Sequence, residues 1–488
     1  MSTQPNVMRS DPFLLSAPTT GGADVRTFWM LLCPAGAVCL ALYFANQSWA
    51  AIALGAASFT LAVVIAPQVG LYAYFAWQAL DAAVVTGHYD VFSPAKAFAP
   101  FLLLLFLFRV GRSGTPMQVS RPFVVTMLIF GTYGLVTSVA AIQPLAALRY
   151  SGQIIVQALL LVMAVHLLDR REYVLRLMLA TVLGGVVAAS LMWITGGVSR
   201  QFTRGTLGEF ANPNTTALAL TISLAAIPAA WAYTRRKVFY LFYLAVTPLL
   251  VGAILMTGSR SAVIAVLAAF VLGVALARGA GLFKRVIVAV ACTVAVVYIA
   301  VVVVQSDMLD AKSRDRIEEF VRARGDVGDS RLDIWNLGFQ TYTEAPVIGV
   351  GFGNAAFTLE RSRGWFRDMH SSYLSVLVDG GAIGLMLFGY GLWQLFRRVR
   401  GIRASAAAIP ASIMLCLLLA SALTHTIHFT KWFWVPATIC LLLAEQAHRE
   451  RAPAPANQAV AEPGAITTTT AGSPIAARSP GRLGYGRA

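Results

Sequence analysis

A chain of 488 residues that is 58% hydrophobic and 12% charged, with a mean hydropathy of +0.69, is too apolar for an ordinary soluble protein and reads as a polytopic membrane protein. Its net charge of +16 invites a nucleic-acid reading, but the basic residues gather in every second loop: Arg109/Arg112/Arg121, Arg170/Arg171/Arg176, Arg235/Arg236/Lys237, Arg278/Lys284/Arg285, Arg397/Arg398/Arg400/Arg403 and His448/Arg449/Arg451. That alternation is the positive-inside pattern of cytoplasmic loops facing anionic lipid, so the charge points to membrane lipid and excludes nucleic acid as a partner.

Residues 1–26 are polar, without a basic segment leading into a short apolar core. They read as a disordered cytoplasmic N-terminus and not as a cleavable signal. Apolar windows of about 18 to 20 residues, long enough to cross a bilayer core of about 30 Å, then follow. They fall at 27–45, 49–66, 69–85, 94–108, 122–141, 149–168, 173–195, 213–233, 238–256, 261–277, 286–304, 372–394, 407–424 and 430–446. Asp81, Pro94, Lys96 and Pro100 interrupt the third and fourth, which makes the count twelve to fourteen. The expected fold is therefore all-α: N-terminal transmembrane helices over 27–304, a large periplasmic loop with short helices over 305–371, and C-terminal transmembrane helices over 372–446. Residues 447–488, rich in Ala, Pro, Thr and Gly, read as a disordered cytoplasmic tail. Cys33, Cys39, Cys292, Cys416 and Cys440 lie in apolar segments without metal-ligand spacing and read as small buried side chains.

Counting outward from the basic cluster at 235–237 puts four segments on the extracytoplasmic side. These are 196–212 with Arg200, Arg204 and Glu209; Thr257-Gly258-Ser259-Arg260; 305–371; and the stretch around His425 and His428. Spans starting near Pro213, Ser261 and Ser371 would open their N-termini on that side, each preceded by capping residue types. Helix N-termini beside arginines suit a phosphate group, although such caps also occur at any wet interface.

The segment 305–371 carries half of the chain's acidic residues, 11 of 22. Within it, Asp329 and Ser330 can cap a helix that places Leu332, Trp335, Phe339 and Tyr342 on one face and holds Arg331 on a packed element. Pro346 ends that helix, and Gly349-Val350-Gly351-Phe352-Gly353-Asn354 makes a glycine-rich turn. It follows a helix and opens no βαβ unit, so it is not a dinucleotide fingerprint.

Four segments resemble the O-antigen ligase and O-antigen polymerase superfamily of bacterial membrane glycosyltransferases. They are Gly205-Thr206-Leu207-Gly208 through Asn212-Pro213-Asn214; Thr257-Gly258-Ser259-Arg260-Ser261-Ala262; Ser330-Arg331-Leu332-Asp333-Ile334-Trp335 with Ala345-Pro346-Val347-Ile348-Gly349-Val350-Gly351; and His370-Ser371-Ser372-Tyr373-Leu374 with Gly381-Ala382-Ile383-Gly384. The resemblance spans roughly residues 200–390. It implies transfer of a glycan from an undecaprenyl-diphosphate donor to an acceptor sugar, on lipid A core or on a lipid-linked glycan, at the periplasmic face of the inner membrane and without metal or cofactor. It further implies that Arg260 and Arg331 bind the diphosphate and that His370 is the catalytic base.

Those residue types suit the chemistry. Two guanidiniums and helix N-termini can stabilise charge developing on a diphosphate leaving group, and a histidine can take the acceptor hydroxyl's proton. Arg204, Arg200, Asn214 and Asp379 are secondary candidates: Arg200 and Arg204 for a second phosphate or the acceptor, Asp379 for a polar network at the membrane boundary or a structural pair with a neighbouring helix. His425, His428 and Lys431, beside Trp432 and Trp434, read mainly as an interfacial aromatic belt. Ligase and polymerase remain alternatives. A lipid-linked glycan flippase or transporter would need polar groups deep in the bundle and repeated halves, and no internal repeat is evident.

Overall fold

The computed structural model describes residues 48–84, 94–113, 122–195, 212–234, 237–277, 329–364, 368–402 and 405–451, with single positions 281, 287, 290 and 294. The expected spans 27–45 and 286–304, residues 1–26, 305–328 and the tail beyond 451, and Arg200 and Arg204, lie outside this description or are touched only at isolated positions. The described residues form helices and no strand. In chain order these are α1 Ser48–Ile65, α2 Pro67–Val84, α3 Pro94–Ser113, α4 Pro122–Thr137, a 3₁₀ turn Ser138–Ala140, α5 Pro144–Leu167, α6 Arg171–Thr195, α7 Pro213–Tyr233, α8 Val238–Met256, α9 Arg260–Leu276, α10 Asp329–Glu344, α11 Ala355–Arg363, α12 Ser372–Arg400, α13 Ala408–Thr424 and α14 Lys431–Arg449. All belong to a unit that ends at Glu450.

Proline explains several boundaries. α2, α3, α4, α5 and α7 each open on one, at the first helical position where its missing N–H has no partner to lose and its φ is already helical. Pro94 therefore starts α3 and does not interrupt it, and Pro100 is carried inside the same helix. Asp81 is also accommodated: it is buried on α2 and pairs with buried Lys431 at the start of α14.

Among the described residues six helices are long and apolar enough to cross a membrane: Pro122–Ala140, Pro144–Leu167, Arg171–Ile194, Pro213–Tyr233, Val238–Met256 and Ser372–Arg400. Shorter apolar stretches lie at Phe98–Gly111, Arg260–Leu276 and Ala408–Thr424. α5, with 24 residues, rises about 36 Å at about 1.5 Å per residue, more than a bilayer core. α7 is the central helix. It is built largely of Ala, Ser, Thr and Leu, which lets it touch α2, α6, α8, α9, α13 and α14. The outer helices instead present Leu104, Phe108, Leu145, Ile194 and Leu241 outward, as lipid-facing surfaces do. The chain is an all-α polytopic membrane protein.

The two ends of α12 and α14 have different characters. At their C-terminal ends Arg398 donates from Nε and Nη2 to Glu445 Oε1 at 3.1 and 2.7 Å, and Gln446 donates to the Asp169 carbonyl at 2.7 Å. Arg449 also reaches that carbonyl, and Arg171 lies over the Tyr233 ring, 4.8 Å from its centroid. At their N-terminal ends lie His370, Ser371 and the loop 425–430. α10 and α11 pack against α12, over a small apolar cluster of Ile334, Ala355, Leu359, Met369, Leu374 and Val378.

α10 does not use the apolar face expected of it. Leu332 and Phe339 are 53% and 52% exposed, while Ile334, Gly338 and Thr341 are buried and Trp335 and Tyr342 are partly so. The i, i+4, i+7 stripe is thus Ile334, Gly338 and Thr341. Gly338 is selected because Met369 and Leu374 crowd the space a Cβ would take.

The glycine-rich turn has a structural task. α12 is broken at Gly381 (φ 61°, ψ −163°), so the carbonyls of Val378 and Asp379 lose their helical partners, the N–H groups of Ala382 and Ile383. The turn supplies both sets. Val350 and Gly351 donate to the carbonyls of Val378 and Asp379 at 3.0 and 2.9 Å, while Ala382 and Ile383 donate to those of Pro346 and Val347 at 2.9 and 3.3 Å. Gly349 (φ 73°) and Gly381 lie so close to each other's backbone segments that a Cβ on either would overlap backbone carbonyl atoms.

Candidate functional site

The starts of α9 and α12 meet at the end of α13. α9 begins at Arg260 after a left-handed Gly258 (φ 60°), with Ser259 in the N-cap position. Ser259 makes no side-chain cap bond; its N–H instead donates to Thr257 Oγ1 at 3.2 Å, which tightens the turn before Arg260. α12 begins after Ser371, whose Oγ accepts from the Leu374 N–H at 3.4 Å. At α7 the expected cap is present, with Asn212 Oδ1 accepting from the Asn214 N–H at 2.9 Å behind Pro213. Asn214 thereby has a backbone role in that cap.

His370 has φ 51°, the left-handed region, and is the non-glycine residue with positive φ among the described residues. That conformation costs about 1–2 kcal/mol for an L-residue and persists where the surroundings impose it, as functional sites do. Here the constraints are visible. Met369 is buried in the cluster under α10, and its carbonyl accepts from Trp335 Nε1 at 3.0 Å. On the other side Ser371 is already engaged as the α12 cap. Because Trp335 lies one turn beyond Arg331 on α10, the same hydrogen bond brings Arg331 to the His370 side of the bundle. Partial burial lowers the Arg331 pKa, a desolvation effect that leaves a guanidinium fully charged at neutral pH.

His425, at the end of α13, is the residue sequence reasoning undervalued. It is buried, its Nε2 lies 3.2 Å from Ser261 Oγ, and its Nδ1 lies 2.9 Å from Thr424 Oγ1. Desolvation, then the positive charges of Arg331 and His370, push its pKa down to about 4. It is thus in contact with the residue after Arg260 and within electrostatic reach of Arg331 and His370, so three of the sequence's candidate segments converge on it. Next to it, Thr426 and His370 face the Asp368 carboxyl. Asp368 as a residue is exposed, yet crowding of its carboxyl raises its pKa, against the opposing effects of the Thr426 hydroxyl, the charge of His370 and the N–H groups of Met369 and His370.

Asp379 is held elsewhere. It is 1% exposed; Oδ1 accepts from the Ala355 N–H at 2.7 Å, capping α11, and Oδ2 accepts from Ser375 Oγ at 3.0 Å. Its carboxyl therefore fastens the start of the neighbouring helix α11 to α12. His428, Lys431 and Trp434 do not form an interfacial belt. His428 and Trp434 are each 2% exposed, His428 packs on Phe388 and Phe429, and Trp434 Nε1 donates to the His428 carbonyl at 3.1 Å. Burial lowers the His428 pKa to about 3.

A multi-pass helical bundle with arginines and a strained histidine gathered at one end of its helices defines a membrane protein with a polar site at the bundle rim. Residues 244–389 match the family described as O-antigen ligase, which supports the resemblance to the O-antigen ligase superfamily. The match takes in Arg260, Arg331, His370 and Asp379 and ends before His425. No curated protein matches the chain. The family supports a function of O-antigen ligase or polymerase type, exercised from a multi-pass membrane setting.

Proposed function

We propose that the protein is a glycosyltransferase that moves a glycan from an undecaprenyl-diphosphate donor to an acceptor sugar hydroxyl at the periplasmic face of the inner membrane, acting as an O-antigen ligase. The observation that carries this reading is the convergence of Arg331, His370 and the Arg260-bearing start of α9 around His425. Arg260 and Arg331 bind the diphosphate, and their fixed charges meet the charge that develops as the bond from the anomeric carbon to the diphosphate oxygen breaks. His370 takes the proton of the acceptor hydroxyl as its oxygen bonds to the anomeric carbon, and undecaprenyl diphosphate leaves. Direct displacement inverts that carbon. Asp368, beside His370, stabilises the imidazolium that results. Arg200 and Arg204 stand as secondary contacts to phosphate or acceptor, and neither metal nor cofactor takes part.

The acceptor is lipid A core in this reading and a second lipid-linked repeat in a polymerase. A deletion strain separates the two: full-length polymer stranded on its carrier is the ligase outcome, and single repeats without chain growth are the polymerase outcome. Topology is tested by a reporter fused after residue 340, which gives a periplasmic signal; a cytoplasmic one overturns the site and the function together. Purified protein transfers glycan in the presence of EDTA, and a requirement for divalent metal overturns the arginine-based mechanism.

A further inference from the structure

The hydrogen-bond partners around His425 assign its ring a tautomer. Thr424 Oγ1 has one proton and gives it to a carbonyl one turn back, Ala420 O at 3.2 Å or Ser421 O at 3.4 Å. It therefore accepts from His425, and the 2.9 Å contact is an Nδ1–H donor. Nε2 then carries a lone pair, and the Ser261 hydroxyl at 3.2 Å donates to it. Ser261 Oγ is left to accept from Ser259 Oγ, 3.3 Å away. The backbone of the same residue is tied in the opposite direction. Ser372 Oγ donates to the His425 carbonyl at 2.9 Å and accepts from the Ile427 N–H at 2.8 Å.

His425 thus joins α9, one residue after Arg260, to α12, two residues after His370. We propose that His425 is a positioning residue: through its neutral ring and Ser261 it sets the Arg260-bearing start of α9 against His370, so that the diphosphate and the attacking hydroxyl meet in line. This rests on the reading given under Proposed function. A hydrophobic residue here leaves the buried Ser261 hydroxyl without its acceptor. A lysine or arginine would add a second fixed positive charge beside Arg331 and next to the base His370. A neutral acceptor on a short, stiff side chain meets both conditions. The wider loop shares the task, since its Ile427 N–H completes the tie to Ser372.

The test uses the full-length protein in detergent or nanodiscs with a lipid-linked diphosphate donor. His425→Leu lowers kcat/KM about 100-fold, the size expected when reacting groups shift by about 1 Å. The loss includes a raised KM for the donor, because the Arg260 side of the site moves. His425→Gln, whose carbonyl oxygen can occupy the Nε2 position, recovers to within about tenfold of wild type, which a purely steric role does not predict. Ser261→Ala shows the same kinetic signature as His425→Leu, and the double variant is no worse than either alone. Wild-type turnover by His425→Leu, equal losses in the Leu and Gln variants, or additive losses in the double variant each overturn the proposal. If His425→Leu does not insert or fold, Ser261→Ala decides alone: unchanged kinetics overturn the proposal. Arg331→Ala in the same assay separates the two levels of argument. An active Arg331→Ala overturns the underlying reading, whereas an inactive Arg331→Ala with an unimpaired His425→Leu overturns only the positioning role.

Discussion

The two ends of the helical bundle use arginine in opposite ways. Where α12 and α14 end, the guanidiniums are satisfied within the protein: Arg398 by the buried carboxylate of Glu445, Arg449 by the Asp169 carbonyl, and Arg171 by Glu450 and the face of Tyr233. Where the same helices begin, Asp81 and Lys431 form an ion pair sequestered between α2 and α14, while Arg331 faces His425, which burial and the charges of Arg331 and His370 hold neutral. Charge that is neutralised internally stabilises the assembly and anchors it against lipid. Charge kept beside neutral or strained groups is available to an anionic ligand. Similar residue types therefore do structural work at one end and, in the proposed function, serve chemistry at the other.

That contrast can be broken by substitution at either end. His370→Ala and Arg331→Ala are expected to lower transfer by about 10³-fold or more, the range for removing a positioned base or a transition-state charge partner, with the protein still folded in the membrane. In vitro glycan transfer paired with size-exclusion profiles measures this, and wild-type turnover by either purified variant removes the assigned roles. The clasp between the loop and broken α12 comes next. Gly381→Ala should cost about 3 kcal/mol, combining left-handed strain with overlap onto the Val347 carbonyl, and should show as lost folded yield and a lowered melting temperature.

The pH dependence of stability sharpens the comparison further. His425 titrates near 4 in the folded protein and near 6.5 when unfolded, so the unfolded chain binds more protons between those values. The stability it contributes is complete above about pH 6.5 and is lost as pH falls toward 4, about 2 kcal/mol between pH 7 and 5. His428 acts in the same direction. Thermal melts of wild type should therefore fall across that interval and those of His425→Gln should fall less; identical slopes would show that His425 is not buried neutral. The smallest effect is expected at the other end. Arg398→Ala removes the guanidinium that pairs with buried Glu445 and should cost about 1–2 kcal/mol, with the turnover of the folded fraction unchanged. A large fall in turnover would mean that the two ends are coupled.

Much of this was legible locally. The expected spans 213–233 and 238–256 coincide with α7 and α8, because hydropathy, proline and capping residues act within a few residues of where they stand. The cap at Asn212 and the stop of α10 before Pro346 follow from the same short-range rules. The buried face of α10 did not. Leu332 and Phe339 are as apolar as Ile334, and only the docking of Met369 and Leu374 over Gly338 selects the stripe that faces inward. The surroundings of His425 were not legible for a related reason: a histidine beside tryptophans looks like an interface marker, and only the fold brings Ser261, 164 residues away in sequence, to its Nε2.

From sequence alone came the all-α membrane class, most of the helix limits in the described part, and the residue types suited to a lipid diphosphate. These rest on composition and on nearest-neighbour rules, which a chain carries wherever it folds. The tertiary structure decided which polar residues share one place. It broke α12 at Gly381 so that the glycine-rich turn could dock, turned Asp379 into a fastening for α11, and brought the end of α13 between the starts of α9 and α12. In a bundle whose helices are apolar on nearly every side, periodicity cannot say which face meets which. Packing and the pairing of buried hydrogen-bonding groups make that choice.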